Sequence, residues 1–138
     1  MGEGYETFEH EADMGIRGSG ETLEEAFENG ARAMFSIMLD LVGVEPEEKV
    51  EISCSAPDRE TLFVEWLNEL LTQASLREMV FSDFKIESLE KDSLRGYAYG
   101  ERLDKKKHRL KVEVKAATYS MLKVYKNEKY VAQCVVDV

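Results

Sequence analysis

Two stretches of the chain carry apolar residues at the three-to-four-residue spacing of an amphipathic helix. The first follows Thr22, a favourable N-cap residue, and Glu25 stands three positions later as in a capping box. Its apolar stripe is Leu23, Ala26, Phe27, Gly30, Met34, Ile37, Met38 and Leu41. The second begins at Pro57 and Asp58, and its stripe is Leu62, Phe63, Trp66, Leu67, Leu70, Leu71 and Ala74. Such stripes are typical of core packing, so we expect two helices that each bury one face.

Much of the remaining chain alternates between apolar and polar residues with the period of two that is typical of strands. The predicted strands are residues 5–8, 14–17, 49–56, 81–89, 94–102, 110–119, 121–125 and 130–136. Predicted turns lie at Asp92, at residues 104–107 and at the two-residue hairpin Asn127-Glu128. The pattern predicts an α+β fold in which two amphipathic helices pack on a largely antiparallel, mixed β-sheet. Residues 1–138 are expected to form a single compact domain.

Charge is distributed unevenly along a chain whose formal net charge is −10. Residues 1–50 hold thirteen acidic residues against three basic ones, whereas residues 102–129 hold ten basic residues against three acidic ones. Because phosphate binding depends on basic surface, we expect no stable direct binding of nucleic acid. The acidic half instead favours a basic protein partner. The run of lysines at residues 105–107 is interpreted as a solvated hairpin tip, with a minor RNA or protein contact as the alternative.

No apolar run approaches the about 18 residues that a membrane-spanning helix needs, and the first residues lack the apolar core of a signal peptide. These features predict a cytoplasmic protein with no membrane association. Cys54 and Cys134 are the only cysteines, and each lies in an apolar strand pattern. We therefore expect two buried free thiols and neither a disulfide framework nor a zinc site.

The residue types that catalysis usually needs are sparse. The segment Gly18-Ser19-Gly20 lacks the flanking glycines and the lysine of a phosphate-binding loop. His10 and His108 are the only histidines, and neither belongs to a readable nucleophile and base arrangement. We therefore assign no catalytic residue and expect a protein that is not an enzyme. A metal-dependent hydrolase stays open as an alternative, with His10 as its candidate base.

Carboxylates stand at both ends of the chain. Asp13 follows the first predicted strand, and Asp137 precedes Val138, whose terminal carboxylate adds a further negative charge. The predicted strand at residues 130–136 must pair within the sheet, so this end is expected to be held in place. If the fold brings Asp13 close, the carboxylates repel one another unless a hard cation such as calcium or magnesium neutralises them. The alternative is a solvated turn aspartate and an ordinary charged tail.

Five segments that occur in order along the chain resemble motifs of the archease family. They are residues 8–16 (FEHEADMGI), 21–27 (ETLEEAF), 62–71 (LFVEWLNELL), 113–119 (EVKAATY) and 135–138 (VVDV). The resemblance spans essentially the whole chain. The family usually has threonine at the position of Glu11 and often histidine at that of Ser120, so position 120 is given no ligand role.

What this resemblance implies is an α+β fold with a calcium site, for which Mg²⁺ or Mn²⁺ are alternatives. Asp13 and Asp137 are the implied side-chain ligands, and Val138 is implied through its terminal carboxylate or backbone oxygen. The implied function is that of a non-catalytic protein cofactor for the RtcB-type RNA ligase of tRNA splicing. It promotes guanylylation and multiple turnover of the ligase and broadens its use of nucleoside triphosphates.

Lys115, in the fourth of these segments, is the basic residue that we expect to touch the ligase. The alternative for Lys115 is an outward-facing strand lysine with no partner. The alternative function is that of a general chaperone or adaptor protein, which needs a large exposed apolar patch. The predicted core stripes already account for almost all apolar residues, which favours the ligase activator.

Overall fold

The computed structural model describes residues 4–138, which fold into two helices and two antiparallel sheets. The strands are β1 (Tyr5–His10), β2 (Asp13–Gly20), β3 (Glu48–Ser55), β4 (Met79–Leu89), β5 (Ser93–Arg102), β6 (Ala116–Ala117), β7 (Lys123–Lys126) and β8 (Tyr130–Asp137). The helices are α1 (Leu23–Met38) and α2 (Arg59–Arg77), and a short 3-10 helix (Leu41–Gly43) follows α1. The predicted α+β class with two helices is confirmed.

The strands are divided between two sheets, whereas the sequence pattern predicted one. The first sheet has the order β1-β2-β8-β6, with β7 also paired to β8, and the second has the order β3-β5-β4. Alternation along a strand identifies its buried face but not its neighbours, which is why the division was not predicted.

Both helices begin where the sequence predicts. Thr22 Oγ1 accepts a hydrogen bond of 3.1 Å from the Glu25 N–H, and the Glu25 carboxylate accepts one from the Glu21 N–H. At the start of α2, the Asp58 carboxylate accepts from the Thr61 N–H at 2.8 Å. The contacts to the Glu25 and Thr61 N–H groups satisfy donors that the first turn of a helix leaves without partners.

The helices lie between the sheets, since α1 packs on both β2 and β4, and α2 packs on both β3 and β6. A helix that is covered on two sides buries more than one stripe, and α1 accordingly buries Ala31 and Phe35 outside its predicted stripe. A Cβ atom at Gly18 in β2 would lie 2.1 Å from the Gly30 backbone nitrogen of α1. This close approach of two backbones requires glycine at position 18. Within residues 4–138, neither helix is long and apolar enough to cross a membrane.

The strand predicted at residues 110–119 is wrong except at β6. Residues 109–115 run without a helix, turn or bend, and a single bridge joins Leu110 to Leu39. Leu110 and Val112 are 49% and 46% exposed, so among the alternating side chains of residues 110, 112 and 114 only that of Val114 enters the core. The alternation is present, but within the described chain no strand lies alongside residues 111–114 to complete the ladder.

Two of the predicted turns are present in the structure, one of them with a longer connection than predicted. The lysine run at residues 105–107 does form an exposed turn. The Asn127-Glu128 hairpin has a three-residue connection, because β7 ends at Lys126 and β8 begins at Tyr130.

Both cysteines are free. Cys134 is buried and Cys54 is partly buried, and burial raises the pKa of each thiol to about 12. Neither thiol is therefore a nucleophile at neutral pH.

Candidate metal and partner-binding site

A tight hairpin positions Asp13 at the start of β2. Glu11 and Ala12 connect β1 to β2, so that His10 pairs with Asp13 across the hairpin. Glu11 has a φ angle of 54°, in the left-handed region that non-glycine residues rarely adopt. Asp13 is partly buried, which distinguishes it from the exposed turn residues that precede it.

The last strand lies inside the first sheet and not at its edge. On one side β8 pairs with β2, from Met14 opposite Val136 to Gly20 opposite Tyr130. On the other side it pairs with β6 and β7. Because β8 is hydrogen-bonded along both edges, residues 130–137 are held in place.

This register brings Asp13 to the end of β8. With Met14 opposite Val136, Asp13 lies beside the residues that follow Val136, and its Oδ1 accepts a hydrogen bond of 3.4 Å from the Val138 N–H. Asp137 is exposed and Val138 is partly buried. The three residues predicted as metal ligands are therefore neighbours, although Asp13 and Asp137 are 124 positions apart in sequence.

Asp13, Asp137 and Val138 lie together at one corner of the first sheet, and the backbone of Lys115 lies at this corner as well. Its backbone N–H donates a hydrogen bond of 2.8 Å to the Asp137 carbonyl, immediately before Ala116 pairs with Asp137. The Lys115 side chain is exposed and makes no ion pair with any residue of the described chain. The Lys115 side chain is thus available to a partner.

An asparagine of α2 fixes this corner, and sequence reasoning gave it no role. Asn68 Nδ2 donates to the Ala117 carbonyl at 3.2 Å, and Asn68 Oδ1 accepts from the Ala117 N–H at 2.8 Å. The side chain therefore takes the place of a neighbouring strand beside β6. A polar residue next to the apolar stripe of α2 was the signal that could have indicated it.

The electrostatics of the corner suit a cation. Within residues 4–138, neither Asp13 nor Asp137 nor the carboxylate of Val138 forms an ion pair with a basic side chain. The nearest strand arginine, Arg17, is paired with Glu6. Carboxylates that a fold brings together without a compensating base favour protonation or a bound cation, so a cation at this corner stays a prediction.

The predicted donors are all oxygen atoms, the ligands that a hard cation prefers. In the part of the chain that the structure describes, no group of three or more His, Cys, Asp or Glu side chains is placed to hold a metal ion. The predicted donor set of the Asp13 and Asp137 side chains with oxygen atoms of Val138 therefore stays a prediction. Such all-oxygen donors suit Ca²⁺, which takes six to eight ligands, so water or a partner would supply the remainder.

A second polar cluster is buried beneath the basic turn. Glu101 accepts hydrogen bonds from His108 Nε2 at 2.8 Å, from Lys107 Nζ at 2.9 Å and from the Glu45 N–H at 3.0 Å. His108 Nδ1 accepts from the Asp104 N–H, so the ring proton lies on Nε2. Lys107 first, then Glu45 and His108, lower the pKa of Glu101 to about 2.

This cluster anchors residues 101–108 and leaves His108 buried, as expected for a structural histidine. His10, the other histidine, is partly buried in β1 at the Asp13 hairpin.

Comparison with known proteins adds independent findings. The sequence profile of the archease protein family matches residues 5–138. The chain is 42% identical to the archease of Pyrococcus furiosus and 44% identical to that of Pyrococcus abyssi, in each case over 97% of this chain and 98% of the relative.

Two solved structures share the fold. The solution structure of protein 1598 from Methanobacterium thermoautotrophicum has a TM-score of 0.85 at 36% identity, covering 98% of this chain and 99% of that one. The crystal structure of an archease from Thermotoga maritima, described as a possible chaperone, has a TM-score of 0.60 at 22% identity, covering 95% and 94%.

Proposed function

This chain belongs to the archease family, and from that premise we propose that it is a non-catalytic protein cofactor of an RtcB-type RNA ligase. In this proposal it promotes guanylylation of the ligase, allows multiple turnover and broadens the use of nucleoside triphosphates. A cytoplasmic location and a role in tRNA splicing belong to the same proposal.

The observation that carries the proposal is the corner formed by Asp13, Lys115, Asp137 and Val138. A hydrogen bond joins Asp13 to Val138, and another joins Lys115 to Asp137. The backbone of these residues is held at the ends of the paired strands β2, β6 and β8. Such a preorganised group can contact a partner without first paying an entropic cost of ordering.

We assign a divalent cation, Ca²⁺ first and Mg²⁺ or Mn²⁺ as alternatives, to the carboxylates of this corner. Asp13 and Asp137 would bind through their side chains, and Val138 through its terminal carboxylate or backbone oxygen. The cation would neutralise the mutual repulsion of these groups. Because the protein donors leave coordination positions open, ligase groups can complete the sphere.

The charge of the chain supports a protein partner that itself binds RNA. The net charge of −10 disfavours direct phosphate binding but complements the basic surface that an RNA ligase needs. In this arrangement the ligase holds the RNA, the acidic protein docks beside its active site, and Lys115 contacts an acidic group on the ligase.

The proposal is tested by RNA ligation with a cognate RtcB-type ligase, GTP and metal, at an excess of RNA over ligase. Addition of the protein should convert a single round of ligation into many rounds and should raise the guanylylated fraction of the ligase. Unchanged turnover, with a ligase that completes its first round, would contradict the proposal.

The contact at Lys115 is tested in the same assay with Lys115→Ala. We expect the concentration of protein that gives half-maximal activation to rise about tenfold, as for the loss of one interfacial charge contact. The matched control is Lys91→Ala, which removes an exposed lysine from the turn between β4 and β5. Equal behaviour of the two variants would remove Lys115 from the interface.

A general chaperone or adaptor is the second candidate, and the exposed apolar side chains favour it. Leu76 is 73% exposed, and Leu110 and Val112 lie about half exposed, so the core does not absorb all apolar residues as the sequence predicted. An adaptor of this kind would suppress the aggregation of unrelated heat-denatured proteins at equimolar concentration. Suppression without any effect on the ligase would favour this second function.

A further inference from the structure

An open groove of about 1320 Å³ lies between the C-terminal half of α2 and residues 103–115. Leu71 and Leu76 line it from the helix, and Leu110 and Val112 line it from the opposite wall. We call this space the α2 groove. Its apolar side chains are partly or largely exposed.

One wall of the α2 groove has unpaired backbone. The N–H of Lys111 donates to the Met38 carbonyl, and the N–H of Lys115 donates to Asp137. Between them, the N–H and C=O groups of residues 112–114 have no hydrogen-bond partner within the described chain. A segment that runs without a turn, is flanked by paired residues and has free backbone groups is a template for an added strand.

The same wall is basic. Residues 102–115 hold seven basic residues against two acidic ones in a chain of net charge −10. Lys105 and Lys111 line the groove, and both are exposed. A ligand for this wall therefore needs negative charge beside its apolar contacts.

We propose that the α2 groove binds an extended segment of a protein partner in which apolar and acidic residues alternate. The segment pairs with the backbone of residues 112–114 as an added strand. Its apolar side chains contact Leu71, Leu76, Leu110 and Val112, and its carboxylates lie near Lys105 and Lys111. The groove accepts such a segment whichever protein carries it, so this proposal is separate from activation of an RNA ligase.

Two other occupants are less suited to these features. A single-stranded RNA would find lysines but no aromatic side chain in the groove lining, and bases normally stack on aromatic rings in such sites. A second copy of the chain would have to offer a free acidic and apolar strand. Among the described residues, the acidic strands β1 and β3 each have one free edge, but their exposed side chains are polar and offer few apolar contacts.

The probe is a short fluorescein-labelled peptide of alternating valine and glutamate, titrated into the full chain and followed by fluorescence anisotropy. We expect saturable binding, and amide signals of residues 112–114 and of the C-terminal half of α2 should shift in nuclear magnetic resonance spectra. A peptide of alternating valine and lysine should bind at least about tenfold more weakly, because the wall is basic. The peptide of valine and glutamate with an N-methylated backbone should also bind about tenfold more weakly than the unmodified peptide, because it cannot pair as a strand.

Two variants with matched controls locate the site. Lys111→Glu should weaken binding of the acidic peptide about tenfold, whereas Lys91→Glu, outside the groove, should weaken it much less. Leu76→Ser should weaken binding, whereas Val42→Ser, which removes an exposed apolar residue elsewhere, should not. All four positions are exposed, so these variants are expected to fold.

Several outcomes would overturn the proposal. These are no saturable binding of the acidic peptide, equal binding of its lysine counterpart, or equal losses in the variants and their controls. The same titration with an oligouridylate probe, and sedimentation of the chain alone over a range of concentrations, test the other two occupants. If only oligouridylate shifts the amide signals of the groove residues, the groove would be assigned to RNA. If the chain self-associates and Leu76→Ser abolishes this, the groove would be assigned to a second copy.

Discussion

Asp13 and Val138, which lie at opposite ends of the sequence, are joined by a hydrogen bond of 3.4 Å from the Val138 N–H to Asp13 Oδ1. The contact depends on the pairing of β2 with β8, which is antiparallel and places Met14 opposite Val136. It gives the candidate cation site a rigid base, because both strands are hydrogen-bonded along their length.

Removal of the charge at Asp13 should separate metal binding from folding. Asp13→Asn keeps an oxygen that accepts from Val138 but removes one of the neighbouring negative charges. We expect a change of less than about 1 kcal/mol in the free energy of unfolding without calcium, since repulsion also falls. Calcium affinity, measured by titration calorimetry, should fall at least about tenfold.

The control for Asp13→Asn is Asp92→Asn in the exposed turn between β4 and β5. Saturating calcium should raise the unfolding temperature of the wild-type chain and of Asp92→Asn, because a ligand that binds only the folded state stabilises it. An identical rise in Asp13→Asn would exclude Asp13 as a ligand.

Asn68 should stabilise the corner that carries Lys115. Asn68→Ala removes two hydrogen bonds to the buried residue Ala117 and leaves the N–H and C=O groups of Ala117 without these partners. We expect a loss of about 1–3 kcal/mol in the free energy of unfolding. Hydrogen exchange at the Ala117 amide should accelerate more than exchange at amides in β5, and Thr72→Ala, one turn further along α2, serves as the control.

The N-caps Thr22 and Asp58 could be predicted from the sequence, because a cap is a local interaction between residues three positions apart. The meeting of Asp13 with Val138 was not derivable from spacing, because it depends on which strand becomes the neighbour of β8. Sequence physics could state what carboxylates would do if they met, and the resemblance to a family indicated which ones.

In residues 110–119 the sequence pattern predicts a strand that for the most part does not form. Their alternation satisfies the rule for a strand, yet only Ala116–Ala117 pair as one. A sequence pattern does not record whether a neighbour is available, and here α2 and residues 109–115 leave a groove between them. The Glu101–His108 contact was equally hidden, since the sequence shows both residues only as members of a polar stretch.

The Glu101 cluster should make the free energy of unfolding depend on pH in the acid range. The folded pKa of Glu101 is about 2, below its value in the unfolded chain, so the unfolded state binds more protons as the pH falls from about 4.5 towards 2. The stabilisation is therefore present above pH 4.5 and is lost progressively below it. Glu101→Gln should flatten this part of the pH profile, as measured by urea unfolding.

The control for Glu101→Gln is Glu51→Gln on β3, an exposed carboxylate that has no hydrogen bond or ion pair with another described residue. Its pH profile should match that of the wild-type chain. A profile for Glu101→Gln that keeps the wild-type slope between pH 4.5 and 2 would mean that other carboxylates cause the acid sensitivity.

The end of α2 offers a stabilising substitution. Glu78 caps the helix with φ 54° and ψ 47°, the left-handed conformation that favours glycine. Glu78→Gly should raise the free energy of unfolding by about 0.5–1 kcal/mol, whereas Glu78→Ala should not, because alanine keeps the Cβ atom. Urea unfolding of the three proteins measures this, and equal stability of the two variants would show that the backbone conformation is not strained.

The most direct measurement is the number of RNA molecules joined per ligase molecule, at substrate excess, with wild-type protein and with the double variant Asp13→Asn, Asp137→Asn. We predict many rounds with the wild-type protein and about one round with the double variant, which should remain folded by circular dichroism. Full activation by the folded double variant would contradict the claim that the carboxylates of this corner activate the ligase.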